Sequence, residues 1–413
     1  MFWLGGVLAF SMVDGAETAS AYVWQRQPGP EVASAMAQFA PQLGEICVLA
    51  AEITWSNRGR SMVRVPLDYT ALASVGCPIG LAVRVGLNPH GSVPGEEELA
   101  EISAFAGDAW TRAKVQGLKL MELQIDFDCP ESKLAGYREW LGKLRITLAG
   151  IPLVITALPS WLKRPEFIAL ARTGDGFVLQ VHSLEKPGRI EKLPILCDPA
   201  RVREWIEQAD KVGVNFRIAL PTHGYLLGFD SAGNYLGVQA EGLRPDWPPG
   251  TRVRAVLADP VTIATMLRAL RTAPPRHLQG VIWFRLPVVG DRLAWNAVTF
   301  ATVLSGEIPQ AHLSVAVAWA EPGLAEVSLV NDGQTTELLP DFVKLNGAQS
   351  GKMQAGDGLG GFRLDMRGGE VQGISRANGT MTDALLAPGR RMKIAWLRFP
   401  HDLPLEALVV SPP

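Results

Sequence analysis

The stretch LQIDFDCPESKLAGYREWL, residues 123–141, shows the unit from which the fold is predicted. Its first half alternates apolar and polar side chains, which is typical of a strand, and it ends at Cys129-Pro130. Beyond that turn Leu134, Tyr137 and Leu141 recur at helical spacing. A strand followed by an amphipathic helix is the repeating unit of a parallel sheet covered by helices.

The same succession of strand and helix repeats along most of the chain. Apolar runs predict eight strands, at residues 22–27, 46–55, 79–85, 120–127, 153–158, 176–182, 216–220 and 280–286. Asp198-Pro199 and Asp259-Pro260 each place an N-cap before a proline at the first helical position. Eight such repeats predict an α/β fold, a (β/α)8 TIM barrel. The main competitor, a doubly wound open sheet, would carry a Gly-rich phosphate turn after its first strand, and residues 28–30 are Pro-Gly-Pro.

The two ends of the chain predict structures of another kind. Residues 2–13 are mostly apolar and Ala19-Ser20-Ala21 resembles a cleavage box, yet no Lys or Arg precedes Arg26. We therefore expect residues 1–21 to be either a signal peptide or an N-terminal extension, with the barrel over residues 22–308. A periplasmic or secreted location follows from the first choice and a cytoplasmic one from the second. Short alternating runs after residue 312 predict a small β-sandwich over residues 309–413.

Composition argues against several classes of partner. The formal net charge is −2 and the basic residues are scattered, so nucleic acid is not expected as the main partner. The sequence has no run of about 20 apolar residues, the length of an integral membrane segment. The six His show no metal-ligand spacing, and neither a metal nor a cofactor is expected. Buried free thiols are expected rather than a disulfide at Cys47, Cys77, Cys129 and Cys197.

Polar residues near the C-terminal ends of barrel strands predict the site, because alternate strand residues face the barrel interior. On the fourth strand Asp126 and Asp128 alternate with apolar residues, so both carboxylates should face inward at the mouth. The same alternation, and the segments that follow strands six and seven, add Glu52, Arg84, Thr156, Gln180, His182, Glu185, Arg217, His223, Tyr225, Trp283 and Arg285. A charge-paired network that only fixes the barrel's shape is the alternative interpretation.

Two neighbouring carboxylates can divide the work of hydrolysis. Like charges raise the pKa of one member of the pair, so Asp128 is the candidate general acid, with Asp126 tuning its pKa. Glu52 or Glu185 is the candidate base or nucleophile, with Asp230 of the loop after strand seven also open. The expected substrate-binding residues are Trp283, for stacking on a sugar, and Arg285, Arg84, His182, Gln180 and Tyr225.

Several runs together resemble an uncharacterised bacterial family, a domain of unknown function that is similar to the TIM-barrel glycosidases. They are LQIDFDCPESKLAGYREWL, ITALPSWL, DGFVLQVHSLE, LCDP, RIALPTHGYL and GVIWFRLPV. The resemblance covers residues 22–306 and implies a carbohydrate site at the C-terminal face of the barrel.

A more distant resemblance is to family-18 chitinases, whose fourth strand ends in DxxDxDxE. Asp126 and Asp128 match the second and third acidic positions, and Trp283 is similar to the Trp that floors a sugar subsite in that family. Pro130 stands where the Glu is expected, and Glu131 is one residue out of register. The resemblance implies a glycoside hydrolase acting on a poly- or oligosaccharide. The missing Glu favours the alternative, a non-catalytic carbohydrate-binding barrel, and a purely structural barrel is a third possibility.

Overall fold

The computed structural model describes residues 18–56, 59–87, 93–241, 247–345, 353–367, 370–376 and 385–402. The apolar residues 2–13 and the last strand candidate, residues 406–411, lie outside this part of the chain. Its first twelve strands are β1 Thr18–Val23, β2 Glu45–Ser56, β3 Gly59–Arg64, β4 Ile79–Val85, β5 Leu120–Phe127, β6 Leu153–Ala157, β7 Gly176–Gln180, β8 Phe216–Pro221, β9 Gly224–Phe229, β10 Tyr235–Gln239, β11 Arg252–Leu257 and β12 Leu278–Phe284.

Eight of these strands form the closed parallel barrel that the sequence predicts. Their order is β1-β2-β4-β5-β6-β7-β8-β12, and β12 pairs with β1 to close the ring. The helices around it are α1 Pro30–Phe39, α2 Tyr69–Ser74, α3 Glu96–Val115, α4 Leu134–Thr147, α5 Pro165–Ala171, α6 Pro199–Asp210, α7 Pro260–Thr272 and α8 Ala297–Leu304. The predicted caps are present, since the side chains of Asp198 and Asp259 accept the Ala200 and Val261 amides.

The first barrel strand begins at Thr18 rather than at residue 22. Ala21 pairs with Trp283 of β12 on one side and with Ile46 of β2 on the other, so its backbone belongs to the barrel wall. The tripeptide that resembles a cleavage box, Ala19-Ser20-Ala21, therefore lies within a strand bonded on both edges. Cleavage after it would remove part of the barrel.

Strand alternation separates two apolar layers. One set of strand residues packs outward against the helices and forms the main core, which includes Ile46, Ile125 and Leu220. The other set packs inside the barrel and consists of Tyr22, Cys47, Ala82, Val154, Val178, Ala219 and Ile282, with Trp24 and Phe284 against it. The interior is therefore filled below the mouth, as the barrel architecture requires.

A small antiparallel sheet rises from the loop after β8. The predicted hairpin is present as β9 and β10, with Asp230 bonding Asn234 across its turn. The sequence prediction missed β11, which pairs with the other edge of β9. We call β9, β10 and β11 the lid sheet. Its inner face buries Leu227 and Phe229 against Ile190 and Leu196 of the loop after β7.

The C-terminal region is all β, as predicted. Its strands are β13 Leu313–Glu321, β14 Leu324–Asn331, β15 Glu337–Leu338, β16 Phe342–Lys344, β17 Ala355–Gly358, β18 Phe362–Arg367, β19 Glu370–Arg376, β20 Leu385–Leu386 and β21 Arg391–Arg398. Sheets β13-β14-β21-β17 and β16-β19-β18 enclose a second core that includes Val327, Ile374 and Ile394. This region contacts the barrel where Thr299 of α8 donates to the Gln334 carbonyl.

Two further predictions concern the state of the cysteines and the presence of a membrane-spanning helix. All four cysteines are buried and free, which confirms the prediction of buried thiols. Within the described ranges, no helix combines the length and the apolar character that crossing a membrane would require.

Candidate functional site

An open cavity of about 450 Å³ lies at the C-terminal mouth of the barrel. Its walls come from the ends of seven barrel strands and from the lid sheet. The lining residues are Tyr22, Trp24, Arg84, Asp126, Asp128, Thr156, Gln180, His182, Ala219, His223, Gly224, Tyr225, Ala240, Glu241, Phe284 and Arg285. Nine of the predicted polar residues at the mouth are thus brought together: Arg84, Asp126, Asp128, Thr156, Gln180, His182, His223, Tyr225 and Arg285.

The two aspartates after β5 share one wall of the cavity but differ in their contacts. Asp126 accepts hydrogen bonds from Thr156 at 2.9 Å and from Gln180 at 3.3 Å, and the Arg84 Nε lies 3.9 Å from its other oxygen. Asp128 is exposed in the cavity and makes no hydrogen bond or ion pair with any described residue. One carboxyl is therefore fixed by the protein, whereas the other is free to contact a ligand.

The environment of this wall favours the protonated form of both acids. Burial raises the pKa of Asp126 to about 6, the Asp128 charge adds to this effect, and Thr156 and Arg84 oppose it. Desolvation also raises the pKa of Asp128, and Arg84 again acts in the opposite direction. A neutral carboxylic acid is therefore more populated here near neutral pH than at an ordinary surface aspartate.

Glu52 lies beside the cavity rather than in its lining. Its buried carboxylate is 2.6 Å from Arg26 and 3.7 Å from Arg84. A β-bulge between Leu49 and Ala51 shifts the register of β2 against β4. The two arginines neutralise Glu52, and Glu52 in turn holds Arg84 toward the aspartates.

Aromatic rings form the wall across from the aspartates. Trp24 packs edge-to-face against Tyr22 at 5.3 Å and against Phe284 at 5.4 Å between ring centroids. The His182 ring stacks on Phe284 at 5.6 Å with an interplanar angle of 21°. Trp24 was not among the predicted site residues, although it directly follows β1 and shares the strand alternation of Tyr22, so the same alternation applied to β1 identifies it.

The two histidines of the mouth are neutral. The His223 Nδ1 lies 2.9 Å from the Phe284 carbonyl oxygen, so it carries the proton, and its Nε2 accepts from the Tyr225 hydroxyl at 3.1 Å. Burial lowers the pKa of His223, and burial together with His223 lowers the pKa of His182 to about 3. In the described part of the chain, no group of three or more His, Cys, Asp or Glu could hold a metal ion.

Trp283 does not reach the cavity. It is 1% exposed and packs in the outer layer against Trp295 and Phe300. The inward residues of β12 are Ile282 and Phe284, so the predicted alternation was displaced by one residue on this strand.

The reason for this displacement is that the prediction extended the strand to Arg285. The strand ends at Phe284, and Arg285 reaches the cavity from the following loop, where Asp291 binds its guanidinium at 2.6 Å. Because Arg285 was assumed to lie on the strand and to face inward, the alternation wrongly assigned Trp283 to the inward face as well.

Other predicted or aligned acids lie outside the lining. Glu185 is exposed and forms an ion pair with Arg201 at the start of α6. Glu131, the acid one residue out of register with the chitinase motif, forms an ion pair with Arg164 at 2.5 Å. Asp230 is used by the turn of the lid sheet. Each of these carboxylates has a partner that holds it away from Asp128.

Arg217 belongs to the closed end of the barrel rather than to the mouth. It donates to Glu45 and Glu122, and Gln124 links Glu122 to the Tyr22 hydroxyl. The alternative interpretation, a charge-paired network that fixes the shape of the barrel, describes this residue. Arg217 belongs to this network because it lies near the start of β8, whereas the barrel mouth is at the end of that strand.

Glu241 is a lining residue that the sequence analysis missed. It follows the lid sheet, and one of its oxygens, Oε2, accepts the backbone amides of Arg292 at 2.9 Å and Leu293 at 2.6 Å. It lies in an irregular loop after β10, outside any strand alternation, so the periodicity of the sequence carried no signal for it.

Comparisons with known proteins agree with the fold. Residues 91–289 match the family described as "Domain of unknown function (DUF3142)", and residues 314–400 match the "Domain of unknown function (DUF8456)". No curated protein matches the chain.

Among solved structures, the C-terminal domain of a candidate chitinase from Desulfitobacterium hafniense is similar with a TM-score of 0.50 and 12% identity, over 70% of this chain and 98% of that one. The Bacillus cereus spore cortex-lytic enzyme is similar with a TM-score of 0.48 and 12% identity, over 70% of this chain and 74% of that one. A chitinase from Chromobacterium violaceum is similar with a TM-score of 0.46 and 14% identity, over 70% of this chain and 99% of that one. The Desulfitobacterium likeness, at 12% identity, supports the barrel fold alone. The chain thus joins a (β/α)8 barrel, matching DUF3142 over residues 91–289, to an all-β region matching DUF8456 over residues 314–400.

Proposed function

We propose that the barrel mouth binds a poly- or oligosaccharide and hydrolyses a glycosidic bond in it, with Asp128 as the general acid. The observation that carries the proposal is the Asp128 carboxyl group, which has no hydrogen-bond partner among the described residues and lies in a cavity that also exposes aromatic rings. Glycosidases use a carboxylic acid of raised pKa to protonate the leaving oxygen.

The aromatic wall suits a sugar ring. Trp24 and Phe284 are both half-buried, so each offers part of its ring to the cavity. Pyranose C–H faces are apolar, and aromatic rings provide matching contact area with little loss of side-chain entropy. Hydroxyl groups of the same sugar would find donors and acceptors in His182, Gln180 and Arg84.

Asp128 and Asp126 would divide the acid chemistry between them. Protonated Asp128 gives its proton to the glycosidic oxygen as the bond to the anomeric carbon breaks. Asp126 is held by Thr156 and Gln180, and the charge of ionised Asp128 raises its pKa because two adjacent carboxylates resist ionising together. Arg84 limits this effect, which keeps both acids able to ionise after the transfer.

A second candidate is carbohydrate binding without hydrolysis. It is favoured by Pro130, which occupies the position of the Glu in the chitinase motif, and by Glu131, which pairs with Arg164 away from the cavity. In that case the aromatic wall would bind the sugar and Asp128 would accept hydrogen bonds from its hydroxyls.

The test compares hydrolysis and binding on one substrate. A panel of polysaccharides is scored for release of reducing ends, and the best substrate is then given to Asp128→Asn. We expect kcat to fall at least about 100-fold, the usual contribution of general acid catalysis, with Kd by calorimetry within about threefold of the wild type. Asp108→Asn, an exposed aspartate on α3, is the matched control and should leave both values unchanged.

Two results would decide against hydrolysis. An Asp128→Asn variant that keeps the wild-type rate would show that Asp128 is not the general acid. A wild-type protein that binds a sugar but releases no reducing ends would support the second candidate.

We also propose a periplasmic or secreted location, with a cytoplasmic one as the alternative. The proposal rests on the apolar sequence of residues 2–13. Fractionation of the producing cells tests it, since only an exported chain appears outside the cytoplasm.

A further inference from the structure

The proposed hydrolysis needs a second group besides its acid. A glycosidic bond is broken with a carboxylate that activates water or attacks the sugar from the other side. Glu52 is enclosed by Arg26 and Arg84, and Glu185 is paired with Arg201 outside the cavity. Of the carboxylates that line the cavity, Asp126, Asp128 and Glu241, only Glu241 lies outside the wall of the acid.

The contacts of Glu241 leave half of its carboxylate available. Its Oε2 accepts two backbone amides, from Arg292 and Leu293, which fix the direction of the group. Its Oε1 makes no hydrogen bond to any residue that the structure describes. An acid whose one oxygen is anchored and whose other oxygen is free is held in place for work on a ligand.

The barrel places this carboxylate across the cavity from the acid. Asp128 follows β5, whereas Glu241 is anchored to the loop after β12. β5 and β12 are four strands apart in either direction around the eight-stranded ring. A sugar that rests on the aromatic wall therefore has one carboxyl on each side.

We propose that Glu241 is the general base of this site and that hydrolysis inverts the anomeric configuration. This inference rests on the proposed function. Inverting enzymes keep their two carboxyls farther apart than retaining enzymes do, about 6.5–9.5 Å, so that water fits between one carboxylate and the sugar, and acids on opposite walls suit that arrangement. Two acids on one wall, such as Asp126 and Asp128, could not hold the sugar between them.

The reaction balances with water as the co-reactant. The Glu241 carboxylate takes a proton from water while the water oxygen forms a bond to the anomeric carbon. The bond from that carbon to the leaving oxygen breaks, and the leaving oxygen receives the Asp128 proton. Glu241 ends protonated and Asp128 ionised, and solvent returns both groups to their starting forms.

Glu241→Gln is the most informative variant because it removes the ability to accept a proton but keeps the hydrogen bonds that hold the side chain in place. The amide oxygen can still accept the Arg292 and Leu293 amides, whereas the amide nitrogen cannot take a proton from water. With the best substrate of the polysaccharide panel, we expect kcat to fall at least about 100-fold and Kd to change by less than about threefold. Glu191→Gln, which changes an exposed acid that forms an ion pair with Arg189, is the matched control.

A 2,4-dinitrophenyl glycoside of the same sugar distinguishes the role of Asp128 as acid from the role of Glu241 as base. Its leaving group needs no proton, so Asp128→Asn should regain most of its rate while Glu241→Gln stays inactive. Sodium azide should restore turnover to Glu241→Ala by replacing the activated water. Proton NMR of the first product of the wild type should show the inverted anomer.

The outcomes separate this inference from the function on which it rests. Retained configuration, or a Glu241→Gln variant with the wild-type rate beside an inactive Asp128→Asn, overturns the role of Glu241 and leaves the hydrolase proposal standing. A wild-type protein that cleaves neither the panel nor the activated glycosides overturns both.

Discussion

Asp128 and Asp126 lie two residues apart, and their surroundings assign them different roles. Asp126 is held by Thr156 and Gln180, while Asp128 has no partner among the described residues. A fixed acid can shape the electrostatics of a site, but only a free one can move with a reacting oxygen. The assignment of Asp128 as the acid therefore follows from its lack of hydrogen bonds as much as from its raised pKa.

Two tryptophans provide a test of where the sugar binds. Trp24→Ala should weaken binding of the best oligosaccharide about fivefold, since an aromatic contact is worth about 1 kcal/mol. Trp283→Phe should leave Kd unchanged and lower the free energy of unfolding by about 1–3 kcal/mol, because Trp283 packs in the outer core. Calorimetry and urea denaturation measure the two quantities. Equal loss of affinity in both variants would contradict the position of the aromatic wall.

At this scale, strand alternation predicted most of the site. It selected Asp126, Asp128, Arg84, Thr156 and Gln180 because these residues lie within regular strands or directly after them. It missed Glu241, which enters from a loop whose direction no periodicity encodes. Arg285 was selected and lines the cavity, but it reaches the cavity from a loop rather than from the strand on which it was placed. The wrong parity at Trp283 has the same cause.

Among the elements, the lid sheet decides what the cavity can enclose. β9 carries Tyr225 into the mouth, and Ala240 and Glu241 follow β10. On the opposite face of the sheet the Trp247 ring lies against Gly228 and Gly237. The absence of side chains at these glycines lets the indole ring cover the sheet.

Gly228→Ala tests this packing. A Cβ at Gly228 would lie 2.4 Å from the Trp247 ring, so the ring must move, and we expect the protein to lose about 1–3 kcal/mol of stability. Gly107→Ala in α3 is the control, because nothing lies within 4 Å of its Cβ and alanine favours a helix by about 1 kcal/mol. Thermal unfolding followed by tryptophan fluorescence compares the two. A Gly228→Ala variant as stable as the wild type would show that Trp247 packs elsewhere.

Element prediction succeeded where the signals were local. Helix starts at Asp198 and Asp259 and the turn at Asp230 depend on a few consecutive residues, and all three are found. β11 was missed because its partner, β9, is distant in sequence and its own alternation is weak. β3 was missed because no strand was predicted between residues 55 and 79, whereas Gly59–Arg64 pairs antiparallel with the end of β2.

Across the whole molecule, the barrel interior holds two polar layers separated by apolar residues. The lower layer is the ion pair network of Glu45, Arg217 and Glu122, and the upper layer is the mouth. Burial raises the pKa of Glu45 to about 7, Glu122 adds to this, and Arg217 opposes it. Folding therefore binds a proton at Glu45 between its ordinary pKa of 4.5 and about pH 7.

This proton uptake predicts how stability depends on pH. Because folded Glu45 binds more protons than unfolded Glu45 in that range, its contribution to the free energy of unfolding should rise as the pH falls from 7.5 to 5, while the lowered pKa values of His182 and His223 act in the opposite direction. A shift of this size corresponds to at most about 3 kcal/mol. Glu45→Gln, which mimics the protonated form, should remove most of the rise when urea denaturation is measured at both pH values. An unchanged pH dependence in Glu45→Gln would place the titrating group elsewhere.

The barrel itself was predictable because eight similar repeats admit few topologies. Its closure between β1 and β12 required the first strand, which the prediction placed at residue 22 because Ala19-Ser20-Ala21 resembles a cleavage box. Small residues of this kind are equally suited to a strand that packs on both faces. The local pattern alone could not distinguish the two uses.

The most direct test of the central claim is a crystal structure of Asp128→Asn with an oligosaccharide from the hydrolysis panel. The account predicts a sugar ring against Trp24 and Phe284, its glycosidic oxygen within hydrogen-bond distance of residue 128, and Glu241 on the far side of the anomeric carbon. A sugar bound to the C-terminal sheets, or a barrel mouth that stays free of sugar at saturating concentration, would contradict it.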